Sequence, residues 1–111
     1  MRYKKLKKRI KENEGFSLKP YNDQLGFLTI GYGHLVLPNE SSLVKERITK
    51  TKLANIFLND FKKATRDYEK YLRKNTLNKN DEELLIEMVF QIGVKGVLKF
   101  KKLLGNMKNK N

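Results

Sequence analysis

The spacing of apolar and polar positions changes repeatedly along the chain, and each change marks an element. In residues 2–13, Tyr3, Leu6 and Ile10 recur at helical spacing among charged neighbours, which predicts an amphipathic helix. Gly15 stands where helices are commonly closed. Residues 16–36 switch to aromatic and β-branched types: FSLKPY, then NDQLG, then FLTIGYGHLV. That order predicts a β-hairpin with a polar turn. Gly31 and Gly33 inside the second run predict a bend, a bulge or a close approach to the backbone. Residues 37–48, LPNESSLVKERI, read as a loop. After Thr49, a capping residue, helical spacing returns through Leu53, Ile56, Phe57, Phe61, Ala64, Tyr68, Tyr71 and Leu72 to about Arg73. At ~1.5 Å per residue this helix is ~35 Å long.

NTLNKN is a polar loop, and DEELLIEMVFQIG opens with the acidic residues that favour a helix N-terminus. Between Leu84 and Ile92 this helix is apolar over most of its circumference, and such helices are normally buried. Gly93 ends it. VLKFKKLL makes a short amphipathic helix, and GNMKNKN a frayed basic tail. The remaining helices are few partners for so apolar an element. Short cover over residues 84–92 predicts a thin core, or self-association to hide the exposed area.

Composition narrows the chemistry. The chain has 111 residues, with 25 Lys+Arg against 12 Asp+Glu, a formal charge of +13. That length fits one domain and excludes large multidomain enzymes. No cysteine is present, which removes disulfides, thiolate metal sites and a cysteine nucleophile. The basic N-terminus is not followed by an apolar run, so no secretory signal peptide is expected. Gln24 to Asn39, uncharged at neutral pH, is too short and glycine-broken to span a membrane. The charge is open to three readings: nucleic-acid binding, attraction to an anionic envelope, or coding bias. Lys outnumbers Arg 20 to 5, and Arg makes the better fork for bases and phosphates. This counts against a sequence-specific DNA reader.

Candidate chemistry lies in E-G-x(7)-D-x(5)-T-I-G-x-G-H, from Glu14 to His34. Glu14 falls where the first helix stops, Asp23 in the hairpin turn and Thr29 on the following strand. Paired carboxylates at structured junctions point to glycosidic cleavage. One acid protonates the leaving oxygen, while the other activates water or stabilises positive charge on the sugar. Glu14, beside Phe16 and the glycine-rich run, is the candidate acid, its pKa expected to rise by partial desolvation. Asp23 lies between Asn22 and Gln24, polar neighbours that suit an ionised carboxylate. Thr29 offers a hydroxyl to hold water. His34 is the single histidine, without ligand partners at sensible spacing for a metal site, and no metal or cofactor is expected.

ENEGFSLKPYNDQLGFLTIGYGHLV resembles the phage-type lysozymes, the endolysin muramidases of glycoside hydrolase family 24. ITKTKLANIFLNDF is similar to the start of that family's interlobe helix. LLIEMVFQIGVKGVLKF is similar to its buried helix and the turn after it. The resemblance implies an α+β fold in a single lysozyme-like domain. Residues 1–48 would form a helix and β-hairpin lobe, 49–73 the interlobe helix, and 74–111 a reduced helical lobe. It implies Glu14 as general acid, Asp23 assisting the attacking water and Thr29 placing it, with inversion at the anomeric carbon. Leu35 and Phe90 match positions lining the saccharide cleft. Gln91 beside Phe90, and the nearby Tyr21 and Tyr32, are further candidate sugar contacts. His34 matches a histidine that pairs with a carboxylate on the interlobe helix, here Asp60, and this pair predicts a raised His34 pKa.

The implied substrate is the β-1,4 bond between N-acetylmuramic acid and N-acetylglucosamine in bacterial peptidoglycan. The implied role is phage-driven host lysis, by a protein made in the host cytoplasm and released by a holin-type membrane permeabiliser. The family normally continues past Asn111, so the chain looks C-terminally shortened. Two rivals follow: an inactive lysozyme-like binding or structural module, and a basic nucleic-acid-binding protein.

Overall fold

The computed structural model describes residues 3–45, 48–74 and 76–108, with residues 103–108 as backbone. Helix α1 (Lys4–Glu14) buries Leu6 and Ile10, the apolar pair at i and i+4. Gly15 closes it at φ 72°, its N–H bonded to the Lys11 carbonyl. A three-stranded antiparallel sheet follows in the order β1 (Ser17–Asn22), β2 (Leu28–Gly31), β3 (His34–Leu35). The second apolar run of the hairpin is therefore bent into two strands. Gly31 and Gly33 make the bend at φ 66° and 77°, a backbone region that side chains with a Cβ avoid.

Residues 37–48 are not the loop that their composition predicts. A 3₁₀ turn (Pro38–Glu40) leads directly into helix α2 (Ser42–Lys45). Proline presets the first turn, and Glu40 Oε1 accepts the Leu37 N–H at 3.0 Å. Leu43 is then buried with Ile30 and Leu53, and Val36, Ile48 and Ile56 are packed against them. Residues 46 and 47 lie outside the described set.

Helix α3 (Lys50–Tyr71) starts as predicted, with Thr49 Oγ1 accepting the Lys52 N–H at 3.1 Å. Helix α4 (Lys79–Lys108) begins earlier than the acidic run implies, because Asn78 caps it: its Oδ1 accepts the Asp81 N–H at 2.8 Å. Gly93, at φ 78° and ψ 159°, interrupts the helical backbone as expected. The tail from Gly105 continues as helix to Lys108 rather than fraying there, and residues 109–111 lie outside the described set. The expected burial of the 84–92 segment holds on one side alone. Ile86 and Val89 are buried, whereas Leu84 and Ile92 are each 55% exposed.

Two compact units divide the chain, Met1–Asp60 and Phe61–Asn111. The first has the sheet, α1, α2 and the opening turns of α3, with Leu6, Ile10, Ile30, Leu53 and Phe57 buried. The second has the rest of α3 and α4, with Phe61, Ala64, Tyr68, Leu72, Ile86, Val89 and Val97 buried.

Candidate active site

Glu14 is the last residue of α1 and half-buried. Its side chain lies against Gly33. A Cβ at Gly33 would collide with Glu14 Oε2 and stand 3.1 Å from Cδ. The missing side chain at Gly33 thus makes room for the carboxylate, a role beyond strand bending.

Asp23 opens the turn between β1 and β2. Its Oδ1 accepts the N–H groups of Leu25 (2.9 Å) and Phe27 (2.8 Å), and its own N–H donates to the Phe27 carbonyl. Asn-Asp at a turn is expected to do this, since a short carboxylate can take up backbone donors that the sheet leaves over. The consequence here is orientation, because two donors on one oxygen hold the carboxylate fast. Thr29 is buried, and its hydroxyl donates to the Phe27 carbonyl at 3.0 Å.

The strand register groups the hairpin candidates. Tyr21 is opposite Thr29, and Thr29 is opposite Leu35, so these three form one cross-strand row on one face of the sheet. Tyr21 and Leu35 are exposed on either side of buried Thr29. Tyr32 lies elsewhere, in an aromatic group. Its ring is 4.8 Å from that of Phe16 and 5.4 Å from that of Phe57, with the Lys11 ammonium 5.3 Å from its centroid. A concavity of about 390 Å³ is lined by Phe16, Tyr32, Lys50, Thr51 and Ala54, without Glu14, Asp23 or Thr29.

Phe90 and Gln91 belong to the second unit, on α4. Phe90 is half-buried and Gln91 exposed. Neighbouring positions on a helix do not share a face, so a surface met by one is not met squarely by the other.

His34 and Asp60 pair as the resemblance implies, with His34 Nδ1 2.7 Å from Asp60 Oδ2. The sequence reading missed the third member. His34 Nε2 lies 3.0 Å from Glu40 Oε1. Only the imidazolium can donate from both ring nitrogens at once. The hydrogen bond to Asp60 therefore leads in raising the His34 pKa, with Glu40 adding to it against the opposing effect of burial. A signal for Glu40 was present in LPNE, where proline precedes a carboxylate at the third position of a helical turn.

Comparison with known proteins bears on the whole of this arrangement. The family model described as phage lysozyme matches residues 11–111. Probable T4-type lysozyme 1 of Dictyostelium discoideum is 31% identical, the match covering 86% of this chain and 70% of that protein. Probable T4-type lysozyme 2 of the same organism is 30% identical over 89% of this chain and 72% of its own. The pre-baseplate central spike protein Gp5 of Enterobacteria phage T4 is 28% identical over 88% of this chain, but over 21% of its own length. A family match spanning nearly the whole chain, on an α+β fold, shows that the chain belongs to the phage lysozyme family.

Proposed function

We propose that this chain is a muramidase that cleaves the β-1,4 bond between N-acetylmuramic acid and N-acetylglucosamine, with inversion. The observation that carries the reading is the seat of Glu14. Its carboxyl group fills the space that Gly33 leaves open, at the carboxyl end of α1. The negative end of a helix dipole disfavours an anion there, which suits an acid that must hold its proton until the leaving oxygen takes it.

Asp23 is the second carboxylate. With Oδ1 held by two backbone N–H groups, it is oriented to accept a proton from the attacking water. Thr29 uses its own proton on the Phe27 carbonyl, so Oγ1 meets that water as an acceptor. Water attack opposite the departing oxygen inverts the anomeric carbon. Tyr21 and Leu35 flank Thr29 and supply contact area for the sugar. Phe90 and Gln91 are the corresponding candidates on α4. In a host-lysis role, a holin-type permeabiliser would deliver the protein to the wall.

Glu14→Gln keeps the size of the side chain and removes the proton donor. Turbidity clearing of permeabilised bacteria is expected to fall about 10²–10⁴-fold, the usual worth of a general acid. The melting temperature should stay near that of wild type. Retained clearing would remove Glu14 from the role. A product with retained anomeric configuration, read by NMR, would remove inversion.

A further inference from the structure

The sequence of α1, KKLKKRIKENE, places cations where a helix disfavours them. No acidic residue stands in its first turn, and no side chain caps its N-terminus. Lys4, Lys7, Lys8 and Lys11 stand at i, i+3, i+4 and i+7, within an arc of about 100° on one face. Like charges at these spacings repel, and cations near a helix N-terminus oppose its dipole. The arrangement weakens the helix that presents the candidate acid.

The same four lysines line one concavity of about 430 Å³ together with Leu58 of α3. None of the five lining residues is acidic. Lys4 and Lys8 are exposed at its rim, while Lys7 and Lys11 are half-buried. The Lys11 ammonium also lies 5.0 Å from the Phe57 ring centroid, which holds that charge in place.

We propose that this concavity on α1 is a docking site for a phosphodiester polyanion of the bacterial envelope, such as a chain of polyglycerol phosphate. Ammonium groups act on phosphate as point charges and ask for no planar fork, so a flexible chain with repeating phosphates can satisfy several at once. Leu58, 39% exposed, offers an apolar floor for the hydrocarbon between phosphates. No ring among the lining residues is available to stack a base, and none of them is Arg. The choice of an envelope polymer over nucleic acid also rests on the muramidase reading, since peptidoglycan lies beside such polymers.

The test is a fluorescence-anisotropy titration of labelled polyglycerol phosphate over a range of salt, with single-stranded DNA and inorganic phosphate as separate arms. Wild type is compared with Lys4→Glu/Lys8→Glu and with Lys62→Glu/Lys99→Glu, which changes net charge equally from exposed positions on α3 and α4. The α1 pair is expected to weaken polymer binding at least about tenfold and to flatten the salt slope by about 2, roughly one per phosphate contact. The control pair should lose far less. Free phosphate should bind much more weakly than the polymer, and DNA more weakly than the polymer at equal phosphate. Equal losses from both pairs would reduce the site to bulk charge and overturn the proposal. Tighter binding of DNA than of polymer would overturn it as well. Cleavage of polymer-free peptidoglycan is measured alongside. Cleavage without polymer binding ends this proposal and leaves the muramidase reading standing. Polymer binding without cleavage does the reverse.

Discussion

In the unit that ends at Asp60, a histidine on a short strand reaches a carboxylate 26 positions away, and Phe16, Tyr32 and Phe57 join the segment before β1, the bend and helix α3 through their rings. In the unit that begins at Phe61, the corresponding polar tie is Tyr68 Oη donating to Glu82 Oε2, 14 positions away, between two helices. Elements of different kinds can meet in few ways, so the first unit is held by specific pairs. Two helices can slide or rotate on an apolar seam, and the second unit leaves Leu84, Ile92, Leu98 and Phe100 exposed along one helix, α4, whereas the exposed apolar residues of the first, such as Leu18, Leu25, Phe27 and Leu37, are spread over strands and turns. The first arrangement suits the placing of carboxylates for chemistry. The second suits adaptable apolar contact.

The largest expected difference is in core truncation. Ile30 and Ile86 are both fully buried, one in each unit. Replacing either by Ala should cost about 2–5 kcal/mol, the spread depending on how far the surroundings collapse into the void. Ile30 is enclosed by Leu43, Leu53 and the sheet, which cannot close in easily. Ile30→Ala should fall at the upper end of that range and Ile86→Ala at the lower. Urea unfolding of both variants reads the difference. An equal cost, or a greater one at Ile86, would erase the contrast between a rigid and an adaptable unit.

Gly33 and Gly93 sharpen the contrast further, because their backbones match at φ +77° and +78°. A side chain held at so positive a φ costs about 1–3 kcal/mol. Around Gly93 a Cβ meets nothing within 4 Å, whereas at Gly33 it meets the Glu14 carboxyl group. Both Ala variants should lose stability, but Gly33→Ala alone should lose activity, by about a hundredfold for a displacement near 1 Å. Comparable activity in the two variants would mean that the Gly33–Glu14 contact does not position the acid.

Much of the first unit was legible from residue types. Gly15, Thr49 and the His34–Asp60 pair are set by local chemistry or by a motif, and each stands where expected. The 3₁₀ turn and α2 were not legible, because so short a segment shows no periodicity and Leu43 is buried only by tertiary packing. Glu40 was missed for the same reason, since its meeting with His34 depends on that turn. In the second unit, periodicity showed that Leu84 and Ile92 are apolar. It could not show which side of α4 finds a neighbour, and both remain exposed. The helix past Gly105 was missed because Lys and Asn composition argued for a tail, while helical backbone propagates at little cost once a helix is nucleated.

Acidity separates the two polar ties. The raised His34 pKa means that the folded state binds its proton more tightly than the unfolded chain, whose value is near 6.5. The stabilisation is complete below that value and is lost as pH rises through the folded-state pKa. Burial, then Glu82, raises the Tyr68 pKa above 10.0 in the same sense, so its contribution persists to alkaline pH and is lost only above that range. Asp60→Asn should therefore cost about 1–3 kcal/mol in mildly acid solution and progressively less as pH rises. Tyr68→Phe should cost a similar amount from acid through neutral pH. Melting curves over a pH series test both, and an NMR titration should show the His34 pKa falling in Asp60→Asn. A pH-independent cost for Asp60→Asn would mean that shape, rather than charge, makes that tie.

The smallest expected effects come from a matched pair of helix caps. Thr49 caps α3 in the first unit and Asn78 caps α4 in the second, each accepting a backbone N–H three residues on. In isolation each cap is worth about 1 kcal/mol against Ala. The full value is realised only if the helix end has no other way to satisfy its donors or to shift. Helix α3 starts beside Leu53, which is buried against Ile30 and Leu43, so its first turn is pinned. Both first turns are exposed, Lys50 to Lys52 and Lys79 to Asp81, but the first buried residue of α4 is Ile86, about two turns on, so water and small shifts can take up the freed donors there. Thr49→Ala should therefore cost close to the full ~1 kcal/mol and Asn78→Ala about half of that. Amide hydrogen exchange should localise each change, with faster exchange at Lys52 in the first variant and at Asp81 in the second. If Asn78→Ala proved the costlier, the start of α4 would be as firmly held as that of α3, and adaptability in the second unit would be confined to its exposed face beyond Leu84.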